Sequence, residues 1–417
     1  MIIKSLARMW LTRSVKPFVF LNHNDKVLTF EQCESLGLYI HIPFCRQICS
    51  FCPYCKVMYA KETCNRYIDA LLGEIALVGS RLNQKKKVTS LYFGGGTPVL
   101  AVDRLREIIR CVKKYFIIEE GIGIELHPDD VREDVLQNLK DAGISKISIG
   151  IQSFQDKFLK VLGRKKFDYS YMSKELEKVS FETVSMDFIF ALPGQTKEDI
   201  IRDISIAFTH GANHVAIYPF IEFSFASKKI TKMEKKEKKK LLDEITEYCN
   251  EKGYRRDSIW TFSNSETARY SSMTRENFLG FDCSATTLLE KQFKINTFDV
   301  DEYIKQIEKE CLPTALTIHF TRRQRMVYYL FWEAYSMQVD EEKFEHFFHE
   351  PLNKMYGLEL RIAEKLKFIT RKGQLYEMTP KGAFYYHYYE GYYTLAYIDK
   401  MWSVMRKEAF PKKIQLK

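Results

Sequence analysis

The sequence predicts an α/β protein: a partial, TIM-like (β/α)6 barrel followed by a mostly helical, winged-helix-like C-terminal domain. Three observations carry the prediction. Short β-rich runs alternate six times with stretches whose apolar residues recur at helical spacing. Glycine, proline or polar turns separate the two kinds of segment. The chemically unusual residues fall where the β-runs end, which is where the reacting groups of parallel barrels stand. Six such units in series imply a parallel sheet with right-handed crossovers, curled into a partial or full barrel.

The strand candidates, in order, are Leu38 to Ile42, Ser90 to Phe93, Gly123 to Leu126, Lys146 to Ile151, Ser185 to Ala191 and His214 to Pro219. Predicted helices between them are Lys61 to Val78, Val102 to Tyr115, Arg132 to Ala142 and Lys197 to His210. The barrel is expected over residues 36–230, after an N-terminal extension, 1–35. Beyond it the alternation stops. In a connecting region, 231–312, Glu234 to Lys252 reads as a helix and Arg275 to Ser284 as a polar middle. In the C-terminal domain, 313–417, Arg322 to Phe347 is an aromatic-rich helical stretch. Leu352 to His387 then runs helix, hairpin (Phe368 to Met378) and Thr379-Pro-Lys-Gly382, the order of a winged helix, before a tail, Tyr385 to Met405, crowded with tyrosine.

At 417 residues and 46% hydrophobic content, the chain can bury a large core. The apolar run Met9 to Phe20 is interrupted by Arg13, Lys16 and Pro17, so it is expected neither to span a membrane nor to act as a cleaved leader, and the compartment read from it is the cytoplasm. Much of the net charge of +10 sits in Lys228 to Lys240, the pattern of a solvated helix face. An anionic substrate is compatible with that charge. Nucleic acid is disfavoured as a partner, because Leu358 to Lys367 offers only Arg361, Lys365 and Lys367 as basic groups.

Of ten cysteines, four lie in one loop after the first strand, Cys45-Arg-Gln-Ile-Cys-Ser-Phe-Cys52 with Cys55 close behind. The spacing C-x3-C-x2-C offers three thiolates to one small volume, which suits a four-iron cluster with one iron open to an outside ligand. A structural zinc site with Cys55 as fourth ligand is the competing reading, although one continuous loop is an unusual source of such a site. Disulfides between such near neighbours would be strained.

Gly94-Gly95-Gly96-Thr97-Pro98 leaves main-chain groups unshielded, so a ligand can lie flat against the backbone. That suits an amino acid's ammonium and carboxylate, and the segment lacks the lysine and spacing of a phosphate loop. Glu125 in Ile122-Gly-Ile-Glu-Leu126, Asp187 in Val184 to Ala191, and Arg164 in Leu162-Gly-Arg-Lys-Lys166 are charges that are costly to bury unless paired or facing a polar barrel mouth. An ion pair explains each one alone. What joins them is a shared rim, which also holds His41, His127, Gln152 and Tyr218.

Together these segments resemble the radical S-adenosylmethionine (SAM) enzymes, and within them the subgroup of oxygen-independent coproporphyrinogen III dehydrogenase and the related heme chaperones. The resemblance spans residues 36–385 and rests on Tyr39-Ile-His-Ile-Pro-Phe-Cys45, Gly94-Gly-Gly-Thr-Pro98, Ile149-Gly-Ile-Gln-Ser-Phe154 and Asp187-Phe-Ile-Phe-Ala-Leu-Pro-Gly194. It implies a barrel of the radical SAM type, with Cys45, Cys49 and Cys52 ligating a [4Fe–4S] cluster whose open iron chelates SAM. It implies further that Gly95, Gly96 and Thr97 bind the methionine part, that Glu125, Gln152, Arg164 and Asp187 hold the rest, that Phe51 packs near the adenine, and that Tyr39 belongs to the cofactor and catalytic site. An electron from a donor such as flavodoxin or ferredoxin would cleave the sulfonium, and the 5′-deoxyadenosyl radical would abstract hydrogen from a substrate carbon. The protein's part is positioning and the exclusion of water and oxygen.

Two departures stand out. The dehydrogenase has a cysteine two positions after the third ligand, where this chain has Tyr54, with Cys55 next. The third-strand motif Glu-x-Asn-Pro reads Glu125-Leu-His127-Pro128. Cys55 and His127 therefore join Tyr39 as candidate catalytic residues, His127 being either a substrate-facing acid or base or a satisfied polar residue. The expected activity is that of a radical SAM oxidoreductase decarboxylating a tetrapyrrole or a related metabolite. The alternatives are methyl transfer or cyclopropanation with two SAM molecules, and heme delivery by a chaperone with ligands among His127, His319, His346, His349 or His387. A winged-helix nucleic-acid binder with a sensory cluster is the remaining reading.

Overall fold

The computed structural model describes residues 8–14, 16–22, 28–225, 230–231, 233–267, 270 and 276–416, with side chains at 388–396 left aside. Lys228, Lys229 and Lys232 of the lysine run, Arg275 of the polar middle and the central tyrosines of the tail lie outside the described residues or side chains.

Six parallel strands lie side by side in chain order: β1 (Leu36–Ile42), β2 (Leu91–Gly95), β3 (Ile122–Leu126), β4 (Lys146–Gln152), β5 (Thr183–Phe190) and β6 (His214–Pro219). They form where expected because strands covered on both faces read as near-continuous apolar runs. Crossover helices α1 (Lys61–Gly79), α2 (Val102–Tyr115) and α3 (Glu133–Ala142) follow the first three strands. Two helices, α4 (Asp156–Leu162) and α5 (Tyr169–Lys178), cross from β4 to β5, and the sequence reading named neither. Left-handed Gly163 stops the first, and the Asp168 side chain caps the second. After β5, α6 (Lys197–Thr209) opens with a Thr196–Asp199 capping box.

The barrel does not close on itself. Instead β1 takes a further parallel neighbour, β7 (Asn277–Phe281), and the fourteen-stranded sheet continues through β8 (Thr286–Leu288), β9 (Gln292–Asn296) and β10 (Thr314–His319) to Phe18–Leu21 and Lys413–Leu416. The polar middle is thus corrected to a buried strand. Phe278, Leu279 and Phe281 enter the core, and Gly280 admits the Thr286 carbonyl, which would lie 2.1 Å from a Cβ there.

In the C-terminal part the single stretch Arg322 to Phe347 is also corrected. It divides into helices Arg322–Tyr335 and Glu341–Phe348 around a strand, Gln338–Asp340, because Met337 takes a left-handed conformation and Asp340 caps the second helix. With helix Leu352–Lys365 and the hairpin Ile369–Lys372/Leu375–Met378, this makes the winged-helix arrangement, with its own core around Tyr329, Phe344, Phe348 and Tyr376. Helix α7 (Lys235–Glu251) buries Leu241, Leu242, Ile245 and Cys249 and turns its lysines outward. Among the described residues no helix is long and apolar enough to cross a membrane.

Several buried groups make stability depend on pH. Burial lifts the carboxyls of Glu74 and Glu333 to about 7 and that of Asp203 to about 6. Because these folded values exceed the unfolded ones, their contribution is complete at low pH and lost as pH rises through 6 to 7. Buried His41 and His214, lowered to about 4, act in the opposite sense and cost stability as pH falls below the unfolded histidine value. Thermal unfolding should therefore peak near about pH 6 and decline toward pH 8. Glu74→Gln is expected to make that decline shallower, as read by melting curves at the two pH values.

Candidate active site

The loop after β1 is pinned at many points. A two-residue pairing of Phe44–Cys45 with Val57–Met58 closes it, and Lys56 Nζ donates to the carbonyl oxygens of Cys49 (2.8 Å) and Cys52. Arg46 pairs with buried Asp130 at 2.6 Å, Gln47 donates to the Gly163 carbonyl at 3.0 Å, and Ser50 to that of Leu162 at 3.4 Å. Cys45, Cys49 and Cys52 remain partly accessible. Burial, followed by the charges of Cys52 and Cys49, pushes the Cys45 thiol up to about 12. Because a charge on Cys52 or Cys49 disfavours one on Cys45, a cationic centre among them would be needed for all three to ionise.

Cys55 is turned away from the three. It is 5% accessible, its Sγ lies 3.8 Å from Cys283 Sγ, and it donates to the Phe298 carbonyl at 3.3 Å. Facing Cys283 and Phe298, Cys55 is not placed as a fourth ligand beside Cys45, Cys49 and Cys52. The donor chemistry fits a larger iron–sulfur core held by Cys45, Cys49 and Cys52.

The glycine loop leans on this one. Gly95 has φ of 116°, and a Cβ there would meet the His41 ring at 2.8 Å. At Gly96 a Cβ would lie 2.5 Å from the Phe44 carbonyl oxygen and 2.9 Å from Cys45 Sγ. Behind it runs a defined chain. The Cys55 carbonyl can only accept, so His41 Nε2–H donates to it (3.1 Å) and neutral Nδ1 accepts from the Tyr39 hydroxyl (3.1 Å). Thr97 is buried, with its N–H on the Phe44 carbonyl at 2.8 Å.

Glu125 accepts from the Gly95 N–H at 3.1 Å, and burial, then the charge of Asp187, raises it to about 8. Asp187 accepts from Ser148 (2.8 Å) and Ser185 (3.2 Å), and burial raises it to about 6. Arg164 donates to the Gly150 carbonyl at 2.7 Å and is lowered by burial against the opposing influence of the three loop thiols. The register of β4 against β5 shifts between Met186 and Phe188, Gln152 at the end of β4 takes φ of 69°, and Ala191, just past the end of β5, takes 63°. Strain in non-glycine residues on the rim marks a functional edge. Phe51 packs beside Val161 and Ile189 on a small apolar cluster of Phe158, Leu162 and Leu192. His127 caps the turn Pro128–Asp130, its Nδ1 accepting from the Asp129 N–H at 3.3 Å, and burial lowers it to about 3. It is neutral at ordinary pH and held by this turn.

The structure adds residues that sequence reasoning missed. Tyr54 is 51% accessible, and the surrounding protein and the charge of Glu125 raise its hydroxyl. The C-terminal segment lies against it: the Trp402 ring sits 5.8 Å from that of Tyr54, tilted by 51°, and Arg406 donates to the carbonyls of Pro53 (2.7 Å) and Tyr54 (2.8 Å). Contacts across some 350 positions leave no local signal. Arg406→Ala should free the end of the loop and speed the bleaching of a reconstituted cluster in air on the order of tenfold.

Residues 39–206, from β1 into α6, match the radical SAM superfamily. The matched segment is similar to radical SAM domains, a family that uses a [4Fe–4S] cluster and SAM. Over most of its length it is similar to the heme chaperone HemW of Lactococcus lactis subsp. lactis, 27% identical over 363 residues that cover 82% of this chain and 93% of the chaperone. It is likewise similar to the oxygen-independent coproporphyrinogen III oxidase of Helicobacter pylori, 24% identical over 399 residues, 87% of this chain and 86% of the oxidase. Coproporphyrinogen III oxidase (HemN) from Escherichia coli, described as a radical SAM enzyme, shares the fold with a TM-score of 0.73 at 20% identity, covering 85% of this chain and 88% of that one.

Proposed function

We propose that the protein is a radical SAM oxidoreductase of the coproporphyrinogen III oxidase type, acting on a tetrapyrrole or a related metabolite in the barrel mouth. The observation that carries this is the cluster of Tyr39, Tyr54, Glu125 and Asp187 at the barrel mouth, partly accessible groups near enough to shift one another's ionisation, with Glu125 tied to the glycine loop through the Gly95 N–H. A reacting radical needs shielding from water, and Trp402 and Arg406 cover the Tyr54 side of this cluster. Cys45, Cys49 and Cys52 would hold the cluster, which when reduced would supply the electron for cleaving SAM, and a flavodoxin or ferredoxin is the class of donor we expect. Glu125 would accept from the cofactor's amino group, Arg164 would pair with its carboxylate, the Gly95–Gly96 backbone would lie along its methionine part, and Gln152 and Asp187 would hold the nucleoside, with Phe51 near the adenine. Tyr39, fixed by His41, would sit at the cofactor's edge. A reducing cytoplasmic setting goes with this reading.

The candidate heme-ligating histidines lend the chaperone reading little support. His127 caps a turn, His346 pairs with Glu34 at 2.6 Å, His349 ends a helix, and His387 is buried 4.2 Å from the Trp260 ring. The similarity to HemW over 93% of its length keeps that reading as the second one. Anaerobic incubation of the reconstituted protein with SAM, reductant and coproporphyrinogen III, followed by mass spectrometry, separates the two. Release of carbon dioxide with loss of substrate carboxyls is expected. S-adenosylhomocysteine with a methylated product would replace decarboxylation by methyl transfer, and no turnover together with stoichiometric heme uptake would replace it by the chaperone.

A further inference from the structure

We propose that Ser185 and His214 are positioning residues that, with Ser148, hold the Asp187 carboxylate in a fixed pose for the donor groups of the bound cofactor. This rests on the reading of Asp187 as a cofactor-holding carboxylate. Ser148 on β4, Ser185 on β5 and His214 on β6 are paired across adjacent strands. Asp187 stands two residues further along β5, on the same face as Ser185. Ser148 Oγ lies 2.8 Å from Asp187 Oδ2, Ser185 Oγ lies 3.2 Å from Oδ1, and His214 Nδ1 lies 2.8 Å from Ser185 Oγ.

Proton directions follow from the chemistry of the acceptor. An ionised carboxylate only accepts, so both serine hydroxyls point their hydrogens at Asp187. Ser185 has then spent its one hydrogen and must accept from His214, which fixes the Nδ1–H form of that ring. Two donors in series polarise each other toward the carboxylate. Each Asp187 oxygen is held from the barrel floor and keeps its remaining lone pairs for the mouth. Burial keeps His214 neutral, so the direction of this chain does not reverse near neutral pH.

A purely structural floor would not be built this way. His214 is 1% accessible, and its Nε2 has no partner among the described residues, with the ring edge-on to Tyr270 at 5.0 Å. Burying a polar nitrogen without a partner costs free energy that an aliphatic side chain would avoid. What histidine supplies here, and leucine would not, is the Nδ1–H donor.

Two readouts test the proposal on the full-length protein. In 15N-histidine spectra of the protein before cluster loading, His214 should be the neutral Nδ1–H tautomer; an Nε2–H tautomer overturns the proposal. In anaerobic calorimetry with SAM and the reconstituted protein, Ser185→Ala and His214→Leu should raise Kd about five- to thirty-fold without loss of iron. His214→Asn, whose amide can place an N–H where Nδ1–H stood, should recover most of the affinity. Asp187→Asn should raise Kd at least as much and make the Ser185 change silent. If Asp187→Asn weakens binding while Ser185→Ala and His214→Leu do not, the positioning role is overturned and the reading of Asp187 stands. If Asp187→Asn leaves Kd unchanged, that reading falls and the proposal falls with it.

Discussion

Gly96→Ala is expected to leave a folded protein that cannot keep its iron. The added methyl would lie 2.5 Å from the Phe44 carbonyl oxygen, 2.8 Å from the Pro43 carbonyl carbon and 2.9 Å from Cys45 Sγ. Two of these three are main chain, so no rotamer relieves the clash. The backbone on either side is tied as well, the Gly96 N–H to the Ile42 carbonyl and the Thr97 N–H to the Phe44 carbonyl, each at 2.8 Å. The displacement therefore passes to Cys45. Overpacking of this kind costs about 1–3 kcal/mol, which corresponds to a roughly five- to 150-fold loss in cluster retention if it falls on the ligand loop. Iron and acid-labile sulfide after reconstitution give the measurement, and full occupancy in Gly96→Ala would contradict the proposed seating of the cluster.

Glu125→Gln should separate stability from function by moving them in opposite directions. In the folded protein Glu125 is lifted to about 8 by burial and by Asp187, with a single N–H bond from Gly95 in compensation. A carboxyl raised in this way costs stability as pH climbs through its folded value, and an amide of the same shape does not. The variant should thus melt higher than the parent at pH 8 and equally at pH 5. Its affinity for SAM should fall about thirty- to 900-fold, the loss of about 2–4 kcal/mol expected when a buried carboxyl that would ionise against the cofactor's ammonium is replaced by a neutral amide. A variant that loses stability at pH 8 and binds SAM normally would mean that Glu125 serves the fold.

The parallel sheet was legible because buried parallel strands are apolar on both faces, and β1 to β6 read as short β-rich runs between turns. β7 was not, since Asn277-Phe-Leu-Gly-Phe281 is five residues long and its place beside β1 is set by Gly280 against Thr286. Asp340 and Met337 break the aromatic helix through a cap and a left-handed turn, local features that a helical count of apolar residues passes over. The cysteine loop, the glycine loop and the rim carboxylates were visible as motifs. Cys55 shows the limit of such reading. Adjacent to the triad in sequence, it is carried inward by the Val57–Met58 pairing to meet Cys283, 228 positions away. Trp402 and Arg406, which lie against Tyr54, belong to a segment with no motif at all. The polar floor beneath Asp187 was equally hidden, because Ser148, Ser185 and His214 are brought together only by the strand register.

The most direct test of the account is the formation of 5′-deoxyadenosine by the reconstituted, reduced protein supplied with SAM under anaerobic conditions, measured by mass spectrometry beside Cys49→Ala. The account predicts the nucleoside from the parent protein and its disappearance in the variant. Intact cluster and bound SAM without any 5′-deoxyadenosine would contradict it.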